Sequence, residues 1–104
     1  MADFKMPDLG GLMQAAQNMQ REMQRIQDEL GQKKVEASAG GGMVTVQANG
    51  NQEILSIKID REVITPDDPQ MLEDLVLAAV NETLRKAREM VAAEMSKLAG
   101  GLGG

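Results

Sequence analysis

From Leu9 onward the apolar positions fall at Leu9, Leu12, Ala16, Met19, Met23, Ile26 and Leu30, alternating steps of three and four. That spacing predicts a long amphipathic helix over residues 9–30, with Asp8 as its N-cap and Gly31 as a left-handed C-cap. The period then changes to two. Val35, Ala37 and Ala39 alternate with Lys34, Glu36 and Ser38; Val44, Val46 and Ala48 alternate with Thr45, Gln47 and Asn49; Leu55, Ile57 and Ile59 follow suit. Gly40-Gly41-Gly42 and Asn49-Gly50-Asn51 separate these runs with residues that supply the positive φ of tight hairpin turns, so the pattern predicts an antiparallel meander with one apolar face.

Thr65-Pro66-Asp67-Asp68-Pro69 stops the extended chain and starts a second helix, with Asp68 suited to the N-cap, Pro69 to the first helical position and Glu73 and Asp74 near the positive end. Its apolar stripe runs through Leu72, Leu75, Val76, Ala79, Val80, Leu84, Ala87, Val91, Met95 and Leu98, and Ala99-Gly100-Gly101 is the expected stop. The fold class is therefore α+β, in the order helix, three-stranded meander, helix. Residues 1–8 are expected to be a flexible N-terminus, 9–99 a single domain and 100–104 a flexible glycine-rich tail.

Helices of this length reach ~33 to 45 Å, whereas a seven-residue strand covers ~23 Å, so both helices must overhang the sheet. Their apolar stripes continue into the overhang, where they have to cover each other or a second subunit. A homodimer with projecting helical arms is the expected form, and a chain of 104 residues gains appreciably from a partner subunit.

Composition removes most chemistry. Without cysteine or histidine the chain lacks thiolate ligands, the commonest metal ligand and the commonest general base. No cofactor, metal, small-molecule substrate or enzymatic activity is expected. No run approaches the ~18 apolar residues of a membrane span and the start has no signal-peptide pattern, so no membrane association and a cytoplasmic location are expected. Phe4 is the only aromatic residue, which excludes stacking platforms for unpaired bases and leaves duplex as the nucleic-acid form to consider. The formal charge of −5 opposes broad attraction to phosphate.

The triple glycine is not followed by Lys-Ser or Lys-Thr and precedes a strand, so it reads as a turn rather than a phosphate cradle. Asp67/Asp68 and Glu73/Asp74 sit at a helix start, where capping and dipole effects account for them. Met19, Met23 and Met95 lie on the apolar stripes as packing groups, while Met13 and Met90 flank those stripes at a possible helix seam. Among the cations, Asn81, Arg85 and Arg88 share one helical stripe with Lys86 beside it; Asn18, Arg21 and Arg25 repeat the pattern on the first helix. Lys33 and Lys34 cluster at the helix-to-sheet junction. The plainer reading is a solvated face laced by pairs such as Glu82 with Lys86, Arg85 with Glu89 and Arg25 with Glu29.

The segments LMQAAQNMQREMQRIQDEL, GGGMVTVQANGNQEILSIKID and LEDLVLAAVNETLRKA, in this order and spacing, closely resemble the YbaB/EbfC nucleoid-associated proteins across residues 9 to 90. The resemblance implies a bacterial, tweezers-like homodimer, with paired helices projecting from a joined sheet core, that binds double-stranded DNA in the nucleoid and alters its conformation. Arg21, Arg25, Lys33, Lys34, Asn81, Arg85, Lys86 and Arg88 are the candidate DNA contacts, chosen because they match the arm location. The rival expectation is a protein-interaction or chaperone-like adaptor that grips a partner through methionine-rich seams.

Overall fold

A computed structural model describes residues 8–103, with side chains through Lys97. Helix α1 spans Leu9–Gln32, strands β1, β2 and β3 span Lys34–Ala39, Val44–Asn49 and Ile54–Ile59, a 3-10 turn spans Arg61–Val63, and helix α2 spans Pro69–Gly103. The expected helix–meander–helix order is therefore observed. Residues 1–7 of the expected loose N-terminus, and Gly104 of the tail, lie outside the described residues.

Local capping chemistry sets both helix starts. Asp8 accepts from the Gly10 N–H at 3.1 Å, and Asp68 accepts from the Met71 N–H at 3.1 Å ahead of Pro69. The ends differ from expectation. Gly31 is not a left-handed cap: α1 runs on to Gln32, and Lys33 closes it in an extended conformation with its N–H on the Leu30 carbonyl. α2 continues past Ala99-Gly100-Gly101 to Gly103. Each glycine weakens a helix by about 1 kcal/mol relative to alanine but keeps its N–H, so the hydrogen-bond ladder persists.

The sheet is antiparallel in the order β1-β2-β3, with Ala37 opposite Val46, Val46 opposite Ile57 and an irregularity between Gln47 and Ala48. Gly40, Gly41 and Gly42 all have positive φ, as the first turn requires. The second turn works otherwise. Gly50 is not in the left-handed region; Gln52 is, at φ 62. Asn49, buried at the end of β2, accepts from the Asn51 and Glu53 N–H groups and donates to the Glu53 carboxylate, tying the turn from inside. Gly50 is needed because a Cβ there would lie 2.7 Å from the Leu30 carbonyl oxygen, to which the Gly50 N–H donates.

α2 lies across β1 and β2 and presents small residues to them. Ala79, Thr83 and Ala87, four apart, are fully buried; Ala79 clusters with Val44 and Val46 of β2, and Thr83 Oγ1 lies 3.3 Å from the Val46 carbonyl. Small side chains at that spacing let the helix approach the sheet closely. Thr83 Oγ1 reaches the Ala79 carbonyl at 2.6 Å, satisfying a hydroxyl inside an apolar core.

β3 is left uncovered. Ile57 and Ile59 point to the same face as Val46 and Val44, yet Ile57 is 44% exposed, and Leu77 on the flank of α2 is 60% exposed. Between β3 and α2 runs an open apolar groove of about 460 Å³ lined by Ile59, Leu72, Val76, Leu77 and Val80, with Glu73 at its edge.

α1 stands off the body. Leu30 is its only buried residue, whereas Leu9, Leu12, Met13, Met19 and Met23 are exposed. The root is held by the Gly50 N–H on the Leu30 and Lys33 carbonyls, by Asn51 Nδ2 donating to the Gln27 carbonyl and by a Lys33–Glu94 ion pair at 2.6 Å. The chain measures 82 × 25 × 22 Å.

Candidate nucleic-acid interface

The candidate cations, on the two helices and at the junction of α1 with β1, are in three distinct states. Arg25 is clamped on α1 between Glu22 at 2.6 Å and Glu29 at 2.7 Å. Arg85 is clamped in the same way on α2 between Glu82 and Glu89. In each case the carboxylates lie three before and four after the arginine, the positions a helix brings alongside it. Hydrogen bonding to Glu22 and Glu82 respectively, reinforced by their charge, holds both guanidinium groups more basic than usual, and the same bonds hold the Glu22 and Glu82 carboxyls below the ordinary carboxylate value.

Two lysines serve the fold. Lys33 pairs with Glu94, and the hydrogen bond from Lys33 lowers the Glu94 pKa. Lys86 does not meet Glu82 as the sequence pattern implied; Arg85 takes Glu82, and Lys86 Nζ instead donates to the Glu36 backbone carbonyl of β1 at 2.9 Å. That bond covers part of an otherwise free sheet edge.

Arg21, Lys34 and Arg88 form the third group. All are exposed and make no ion pair among the described residues. Arg21 lies on α1 opposite the Met19–Met23 stripe, Lys34 opens β1, and Arg88 lies one turn beyond Leu84 on the outer flank of α2, near the exposed Asn81 stripe. The seven candidate cations are thus divided among clamped, structural and available roles, and the eighth candidate, Asn81, is exposed on α2.

Negative charge is segregated. Residues 60–74 carry Asp60, Glu62, Asp67, Asp68, Glu73 and Asp74 against Arg61 alone, which accounts for the entire formal charge of −5. This segment adjoins the triple-glycine end of the sheet, where the Asp60 N–H donates to the Met43 carbonyl and Leu75 packs under Gly40. The α1 root, with Lys33 and Lys34, adjoins the opposite end at Gly50 and Asn51. The molecule has an acidic pole, and the rest of the chain is balanced. Charges beyond ~8 Å are largely screened at physiological salt, so the pole does not repel phosphate from the far helices.

Residues 6–102 match the YbaB/EbfC DNA-binding family. The chain belongs to that family. A nucleoid-associated protein of Acetivibrio thermocellus is 59% identical, covering 100% of this chain and 96% of its own length. Another, of Syntrophobacter fumaroxidans, is 59% identical across 86% of this chain and 82% of its own. In fold, the YbaB/EbfC chain resembles an uncharacterized protein from Helicobacter pylori, with a TM-score of 0.73 and 22% identity over 95% of this chain and 100% of that one. Among the described residues no helix is long and apolar enough to cross a membrane.

Proposed function

We propose that this chain binds double-stranded DNA as a homodimer in the nucleoid and alters duplex conformation, with Arg21, Lys34 and Arg88 as the principal phosphate contacts. The observation that carries this reading is the charge arrangement: available cations stand on or beside the projecting helices while the whole net negative charge is gathered at the far pole. The family's DNA-binding description and the relatives' nucleoid-associated names support it.

The uncovered groove supports the homodimer. A second copy placed on Ile57, Val76, Leu77 and Val80 removes a continuous apolar surface from water and meets the free edge of β3. Two copies then present two α1 prongs. With no aromatic wedge in residues 8–103 and few free cations, contacts are to the DNA backbone, and conformation changes through neutralising phosphates on one side. Arg25 and Arg85 would join only by exchanging a carboxylate partner for a phosphate.

Fluorescence anisotropy with labelled duplex at low and moderate salt tests the assignment. Arg21→Ala/Arg88→Ala is expected to weaken binding about tenfold or more and to reduce the salt slope by about 0.9 for each phosphate that is no longer neutralised. Arg25→Ala/Arg85→Ala is expected to change it far less. Wild-type affinity indifferent to salt would refute the electrostatic account and favour the protein-interaction reading, for which the exposed methionines of α1 speak.

A further inference from the structure

The exposed stripe of α1 is self-complementary, and from it we infer that α1 of one copy pairs antiparallel with α1 of a second copy, joining separate dimers into larger assemblies. Leu9, Leu12, Ala16, Met19, Met23 and Ile26 occupy alternating core positions of a heptad pattern. In an antiparallel pair the two kinds of core position face each other. One register satisfies all six residues: Leu9 faces Ile26, Leu12 faces Met23, and Ala16 faces Met19, with each contact repeated by the two-fold axis.

Three further observations point to this occupant. Residues 9–20 contain no Asp, Glu, Lys or Arg, so this outer half of α1 meets no like charge when it lies against residues 15–26 of the second copy. Glu22 falls opposite Ala15 of the second copy rather than opposite another carboxylate. Most tellingly, the register carries Leu9 of the second copy to the root of α1, where an apolar pocket of about 250 Å³ opens between Met23, Ile26, Leu30 and Met95. A tip leucine thus meets a socket of matching chemistry at the place the pairing requires.

Ala15 and Ala16 at the centre permit close approach of the two backbones. Arg21 and Arg25 point away from the seam, so pairing and phosphate contact are compatible. Each dimer offers two such helices, and a dimer joined through both extends as an open or closed chain. Only the size of the assembly rests on the groove-mediated homodimer; the α1 seam does not.

The chain has no cysteine, so introduced thiols report this contact alone. Leu12→Cys and Met23→Cys chains, mixed and mildly oxidised, are expected to form the mixed disulfide. Leu12 residues of the two copies stand roughly 16 Å apart in this register, so Leu12→Cys alone is expected to give none. A disulfide between two Leu12→Cys chains, or no mixed disulfide, overturns the proposal. By sedimentation velocity the wild type is expected to exceed a dimer at high concentration. Met19→Glu, altering a residue that is 67% exposed, is expected to stop at the dimer with unchanged circular dichroism. A Met19→Glu protein assembling like wild type overturns the seam. A monomeric Met19→Glu protein sustains the seam and instead overturns the groove as the dimer interface.

Discussion

Gly50, Gly31 and Thr83 decide how the parts of this molecule meet, and none of the three acts through its local conformation. A methyl at residue 50 strikes the Leu30 carbonyl and also lies 2.9 Å from the Leu30 Cβ, both rigidly placed. Gly50→Ala is therefore expected to destabilise by about 1–3 kcal/mol, an overpacking cost readable from urea midpoints. At Gly31 the nearest atom is Asn51 Nδ2 at 3.0 Å, whose hydrogen bond to the Gln27 carbonyl has to adjust if a methyl is added. Gly31→Ala is expected to lie within ~1 kcal/mol of neutral, the gain inside the helix being offset by the disturbed bond. Thr83→Val keeps the shape and removes one buried hydrogen bond, for an expected cost of about 1 kcal/mol. Both caps were legible in the sequence because capping is decided within three residues. Gly31 and Gly50 were misassigned because what they meet is distant in the chain. Thr83 went unnoticed as a polar residue inside an apolar stripe; the signal available was its place between Ala79 and Ala87 at four-residue steps.

At the scale of elements, periodicity located every helix and strand, because each buries or exposes a face of its own. It did not disclose that α2 alone covers the sheet. The broad stripe of α2 divides into a half resting on β1 and β2 and a half that lines the open groove beside β3, where Leu72, Val76 and Val80 are half-buried and Leu77 is exposed. Two faces of one helix look alike in sequence when both are apolar. Pairing of charges was legible where it is intrahelical, as for Arg25 with Glu29 and Arg85 with Glu89, and not where tertiary structure competes, as for Lys86. The Lys33–Glu94 pair joins the root of α1 to α2 and has a pH signature. Because the Glu94 pKa is lowered in the folded chain, the contribution is complete above the ordinary value of 4.5 and disappears as pH falls through the lowered one. Glu94→Gln is expected to lower the melting temperature slightly at neutral pH, and the difference from wild type to vanish under acid.

For the whole molecule, net charge was a misleading summary, since −5 describes the segment from Asp60 to Asp74 rather than the surface around Arg21 or Arg88. The composition carried that information, but only the fold shows that the acidic segment and the α1 root adjoin opposite ends of the sheet. Dimerisation belongs at this scale too. Leu77→Asp, which introduces a charge into the groove at an exposed residue outside the buried cluster around Ala79, is expected to shift the chain toward monomer in light scattering and to weaken duplex binding with it. α1 meets the body through little more than its last turn, while its length is ~36 Å. Such an attachment is a pivot with a long lever: a swing of ~10° at the root carries the far end about 6 Å. In the proposed dimer, two prongs mounted this way would widen or narrow their gap to follow a duplex whose girth and curvature vary from place to place, without any repacking of the core.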